Sequence, residues 1–211
     1  MGERSWLVID DTALAKHFAK VLEGLGFVYD SNESDTVKGY KIVVLCWTNQ
    51  IVTIPLAFAF WLPEELSIKP FKTKLELAID LVNEYKSKVD YYGILLDGLY
   101  ASEDMMSFFE ENNIIYYMKL PRNRKVKSNP HSISFKIGDN LAFRLKGNTR
   151  SKLFTAYFGK KVRYITAQKR KKGDYETVYI VSNEKVESAE AILIYAIRWS
   201  IKSSSEQQNK R

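Results

Sequence analysis

One cysteine, Cys46, is all the chain contains, and it sits inside the apolar run "IVVLCWT". A disulfide framework and a cysteine-based metal site are therefore excluded within one chain, which points to a reducing, intracellular setting. Histidine is almost as scarce: His17 and His131 have no ligand-like spacing around them, so both are read as structural or solvent-exposed. No run of eighteen apolar residues occurs, and "MGERSW" lacks the apolar stretch of a secretory signal. The expectation is a soluble, cytoplasmic protein. There is no internal repeat and no low-complexity linker. What is plentiful is core-forming material, 45% hydrophobic with 13% aromatic, enough in 211 residues for one domain with a sizeable insertion. Basic residues exceed acidic ones by 32 to 25, which favours a polyanionic partner without proving one.

Residues 6–10 are continuously apolar up to Asp10, as in a strand buried on both faces. From Asp11 to Leu25 the spacing of Leu14, Phe18, Val21, Leu22 and Leu25 predicts a short helix closed by Gly24 and Gly26. Residues 39–47 and 51–60 read as two strands of a hairpin, with Pro55 marking an edge position or a bulge. An amphipathic helix is expected over about 71 to 88. "YYGILLD" is a second buried strand that ends in a carboxylate, Asp97, and Ser102 is the expected N-cap of the helix that follows. "IIYYMKL" then completes a β-α-β unit with a parallel pair. Residues 121–173 change character, with basic runs at Arg122–Lys127 and Lys169–Lys172 between short alternating pieces, and read as a β-rich insertion. "YETVYIVSN" returns a strand, and a last helix is expected to be capped by Ser188.

This order is that of an α/β, ribonuclease-H-like fold: a mixed five-stranded sheet flanked by helices, with a β-rich insertion before the last helix. The core would comprise residues 1–120 and 174–211, and the insertion residues 121–173. Its first strand is central and its fourth lies beside it, so Asp10 and Asp97 would be neighbours. Two divalent ions about 3.5–4 Å apart across a scissile phosphate require such a carboxylate cluster.

Taken together, "VIDDT", "FKTKLELAIDL", "LLDGLYAS" and "YAIRWSI" resemble the catalytic domain of DDE transposases from bacterial and archaeal insertion sequences, over nearly the whole chain. The resemblance implies Mg²⁺- or Mn²⁺-dependent hydrolysis at transposon ends and transfer of the freed 3′ end to target DNA. It implies Asp10 and Asp97 as catalytic and metal-binding residues, with Asp11 in support, since a small hydroxyl two residues after the acid (Thr12) suits Asp10. In the last helix it implies Tyr195 and Arg198 as DNA-binding residues; their three-residue spacing puts phenol and guanidinium on one face. The Glu expected four residues after the Arg is absent, because that position is Lys202.

An ammonium cannot ligate Mg²⁺, and its charge opposes a cation there. Glu206, one turn further on, is the acid that would complete the catalytic set if the helix shifted, although a simple Lys202–Glu206 surface pair is the plainer reading. The serines in "KSSSEQQNKR" predict fraying after Ile201. Only nine residues precede Asp10, leaving no room in this sequence for a helical end-binding domain. The first reading is thus a truncated or decayed transposase domain acting on double-stranded DNA, with a homodimer in the DNA complex as a further expectation. The alternatives are a non-catalytic DNA-binding protein of that descent, or a nuclease using Asp10, Asp97 and Glu206. Lys125, Lys127, Lys169, Arg170, Lys171 and Lys172 are candidate DNA contacts or solvated loops. Trp61 and Trp199 read as core.

Overall fold

The computed structural model describes residues 4–16, 18, 24–30, 34–66, 70–139, 145, 149–170 and 176–208. It divides into two compact units, residues 1–91 and 92–211. The expected class, α/β with mixed strand pairing and flanking helices, is what the chain forms, though with eleven described strands rather than five.

In the first unit, β1 spans Trp6–Ala15, β2 Gly26–Asp30, β3 Asp35–Thr48 and β4 Thr53–Trp61. Trp6 to Ile9 are all buried, in keeping with their unbroken apolarity. The helix expected from Asp11 is not formed over residues 11–15. These continue β1 and pair antiparallel with β3, from Asp11↔Val43 to Ala15↔Gly39. Thr12 and Leu14 are exposed and Asp11, Ala13 and Ala15 half-buried, an alternation of two that the ladder selects over the helical spacing. Most of the remaining helix prediction, residues 17 and 19–23, lies outside the described residues. Gly39 pairs with Ala15 of β1 and with Gly26 of β2, and a Cβ there would lie 2.3 Å from the Leu14 carbonyl oxygen. The β3–β4 hairpin is antiparallel, with its register shift between Leu45 and Cys46, opposite Pro55.

Helix α1, Lys74–Tyr85, packs on β3 and β4 through Ala78, Leu81 and Val82. It starts at a capping box in which Thr73 and Glu76 satisfy each other's backbone N–H groups, and is shorter at both ends than expected.

In the second unit, β5 (Gly93–Leu96) and β6 (Ile115–Leu120) are parallel, with Leu96 opposite Met118. Between them α2, Glu103–Glu111, is capped by Ser102, whose hydroxyl accepts from Met105 N–H. The helix ends where Asn113 takes φ 55° and Ile114 N–H donates to the Phe109 carbonyl, a left-handed stop. Strand β7 (Lys125–Val126) pairs with β8 (Phe135–Lys136) in a two-stranded ribbon. Strands β9 (Ser151–Phe158) and β10 (Lys161–Arg170) form a hairpin. β10 pairs with β11 (Glu176–Ser182), and β11 with β6. Helix α3, Ser188–Gln208, packs on this sheet. It begins at Ser188 rather than being capped by it, and its backbone stays helical through the three serines expected to fray it. Ala191, Ile194, Tyr195 and Arg198 form its buried stripe at a spacing of three and four.

Candidate active site

Successive residues of a strand face opposite sides, so Asp10 and Asp11 have different surroundings. Asp11 faces α1. Its Oδ2 lies 2.8 Å from Lys74 Nζ, at the first turn of the helix, and 3.2 Å from Lys41 Nζ on β3. The carboxylate is 15% exposed. Burial, the largest influence, pushes its pKa up, but the two lysines outweigh it and hold Asp11 below the usual carboxylate range. Asp11 is thus a charge-balanced tie between strand and helix. Asp10 lies on the other face, where its Oδ1 accepts from the Asp11 N–H at 3.1 Å. Its charge reaches Cys46 on β3: burial raises that thiol to about 11, with Asp10 adding to the shift.

Asp97 follows β5 and caps a short 3-10 turn, Gly98–Tyr100, its Oδ1 accepting from Gly98 N–H at 2.7 Å. Arg198 of α3 places NH2 3.7 Å from the same oxygen. Arg198 Nε donates to the Tyr195 hydroxyl at 3.1 Å, and that hydroxyl donates to the Leu96 carbonyl at 3.2 Å. Tyr195 and Arg198 are both buried. They therefore grip the chain on either side of the Leu96–Asp97 peptide. Asp97 itself is a third exposed. A partly exposed carboxylate on a fixed backbone is the hard donor that Mg²⁺ or Mn²⁺ takes. Among the described residues no three His, Cys, Asp or Glu side chains gather into a metal-holding group.

Lys202 and Glu206 lie on the α3 backbone, and their side chains are outside the described residues. Lys125 is exposed on β7. Lys127 is half-buried, bridged through its backbone to Tyr157. Lys169 is half-buried near the end of β10 and Arg170 is its last residue, whereas Lys171 and Lys172 lie outside the described residues. The positive charge is unevenly distributed: residues 92–211 hold 22 of the 32 basic residues but 12 of the 25 acidic ones. Beside Asp97 the second unit has a cleft of about 490 Å³, whose lining includes Gly98, Lys119, Arg122, Thr177 and Tyr179. Lys119 is not in either basic run, and no local pattern marks it in "IIYYMKL".

The profile of the DDE superfamily endonuclease family matches residues 1–134. The chain belongs to this family. Among solved structures, the crystal structure of the NurA nuclease from Sulfolobus solfataricus is similar, with a TM-score of 0.44 and 12% identity over 91% of this chain and 72% of that one. No curated protein matches the sequence. No helix among the described residues is long and apolar enough to cross a membrane.

Proposed function

We propose that the chain is the catalytic core of an insertion-sequence transposase, acting on double-stranded DNA in the cytoplasm. The observation that carries this reading is Asp97, a partly exposed carboxylate fixed at the carboxyl end of β5 by Gly98, Tyr195 and Arg198, in a member of the DDE superfamily endonucleases. Asp10 is the second carboxylate, because Asp11 is already neutralised by Lys41 and Lys74. Asp10 and Asp97 would hold Mg²⁺ or Mn²⁺, which supplies Lewis-acid stabilisation of the phosphate and an activated water. Arg198 and Tyr195 position Asp97, and the basic second unit takes the DNA backbone. Lys202, where a carboxylate is wanted, keeps the activity low.

Nicking of supercoiled plasmid in Mg²⁺ or Mn²⁺ tests the proposal. Lys202→Glu protein should nick the plasmid, and adding Asp97→Asn or Asp10→Asn should abolish that activity. Joining of a labelled transposon-end duplex to plasmid separates a transposase from a simple endonuclease. Full nicking with both Asp10 and Asp97 replaced would sink the assignment.

A further inference from the structure

The cleft beside Asp97 is built from the ends of two adjacent parallel strands. Leu96 and Met118 are in register, so Asp97 and Lys119 stand at the same level just past those partners. The crevice outside the carboxyl ends of parallel strands is where open α/β sheets bind ligands. The two strand ends are in close contact: a Cβ on Gly98 would lie 3.1 Å from the Lys119 carbonyl oxygen and 3.5 Å from Pro121 Cγ. A side chain on residue 98 would push the Asp97 turn and the Lys119–Pro121 run apart by a few tenths of an ångström.

Arg122 is fixed from the other side. The turn it occupies is closed by Arg124 N–H donating to the Pro121 carbonyl at 3.0 Å. Two more bonds tie it to the ribbon, Ile137 N–H to the Arg124 carbonyl at 3.0 Å and Gly138 N–H to the Arg122 carbonyl at 2.9 Å. A Cβ on Gly138 would lie 3.0 Å from Arg122 Cβ and 3.0 Å from Arg122 Nε, so the missing side chain leaves the room in which the arginine stem lies. Lys119 and Arg122 are nonetheless exposed. Two basic residues and one acidic residue line a cleft whose volume is in the range of small-ligand sites.

We infer that Lys119 and Arg122 bind the phosphodiester backbone beside Asp97, seating one nucleotide of a DNA strand in this cleft. The inference rests on the reading of Asp97 as a metal ligand, and it names side chains that contact the substrate. Lys119 supplies a point charge, and Arg122 a fork able to meet two phosphate oxygens.

Fluorescence anisotropy with a short labelled DNA duplex, in EDTA so that no cleavage occurs, tests the seat across a salt series. Each phosphate contact contributes about 0.9 to the slope of log affinity against log salt. Replacing both residues (Lys119→Gln with Arg122→Gln) should make the slope shallower by about 1.8, with an unchanged thermal melt. Arg122→Lys should retain more of the slope than Arg122→Gln. Gly138→Ala, which touches no DNA, should weaken binding by displacing Arg122. An unchanged slope in the double variant overturns the seat and leaves Asp97 untouched. Asp97→Asn should keep the slope while abolishing nicking by the Lys202→Glu protein; nicking that survives it overturns the reading of Asp97 instead.

Discussion

Replacing Asp11 by Asn should unfold the protein more easily without touching its chemistry, and the size of the loss follows from the geometry. Asp11 is 15% exposed and is shared by Lys74 at 2.8 Å and Lys41 at 3.2 Å, whose side chains are 23% and 10% exposed. Removing one partner of a buried ion pair costs about 3–5 kcal/mol, because the other charge is left uncompensated. Three contacts reduce that here. Asn still offers an acceptor to Lys74, Lys74 keeps the Trp61 ring at 5.4 Å, and Lys41 keeps the Tyr29 carbonyl at 3.2 Å. The expected loss is about 2–3 kcal/mol, or roughly 2–4 °C of melting temperature per kcal/mol in a chain of this size. The pH dependence has a definite sign. Because the native pKa of Asp11 is depressed, its contribution is complete above the unfolded value of about 3.9 and disappears as pH falls through the native one. Urea unfolding should show a constant gap between wild type and Asp11→Asn from pH 5 to 8, closing below about pH 4. Equal stability at pH 7 would refute the assignment of Asp11 to a structural tie. So would loss of nicking when Asp11→Asn is added to the Lys202→Glu protein while Asp10→Asn added to it leaves nicking intact, which would exchange the two roles.

Glu110→Ala should cost about 3–5 kcal/mol, because it removes the counter-charge of Arg163, which is fully buried, donates to Glu110 at 2.7 and 3.2 Å, and would keep, among the described residues, only the neutral Tyr116 hydroxyl and Phe158 carbonyl. Lys161→Ala, which removes a half-exposed partner of the same carboxylate, should cost less than about 1 kcal/mol; equal losses in urea titrations would disprove this hierarchy. Cys46 should react slowly with iodoacetamide at pH 8 and speed up towards pH 11, with Asp10→Asn faster at every pH; labelling of folded protein at the rate of a free thiol would contradict the burial of that thiol. The unmodified chain should nick plasmid weakly or not at all and Lys202→Glu should restore part of the activity, since the change supplies an oxygen ligand and removes an opposing charge. Robust nicking by the unmodified chain, lost on Glu206→Gln, would show that Glu206 has taken over.

The parts of the fold that could be read from the sequence are those whose local pattern and tertiary surroundings agree. Gly93–Leu96 is an unbroken apolar run in a buried parallel strand, and Asp97 follows it because a carboxylate ends such a run. Pro55 reads as an edge or bulge residue and stands opposite the register shift of β3. The segment after Asp10 was not legible in this way, because Leu14 and Phe18 satisfy a helical spacing while residues 11–15 equally satisfy an alternation of two. The ladder with residues 39–43 of β3 decides between them, and that partner is distant in sequence. Tyr195 and Arg198 were legible as a pair on one face. Their burial follows from Ala191 and Ile194, which extend the same stripe inward. Lys119 acquires its place only from the parallel pairing that sets it level with Asp97.

The link from Tyr195 to Leu96 has a consequence for biosynthesis. The two residues are 99 positions apart, so the Asp97 turn lacks its clamp until most of the second unit has left the ribosome. At about 5–20 residues per second, that interval is about 5–20 s. Throughout it the nascent chain presents Asp97 without Tyr195 and Arg198. The Asp97 turn would then take its final form only when α3 docks, as the last step in building the second unit.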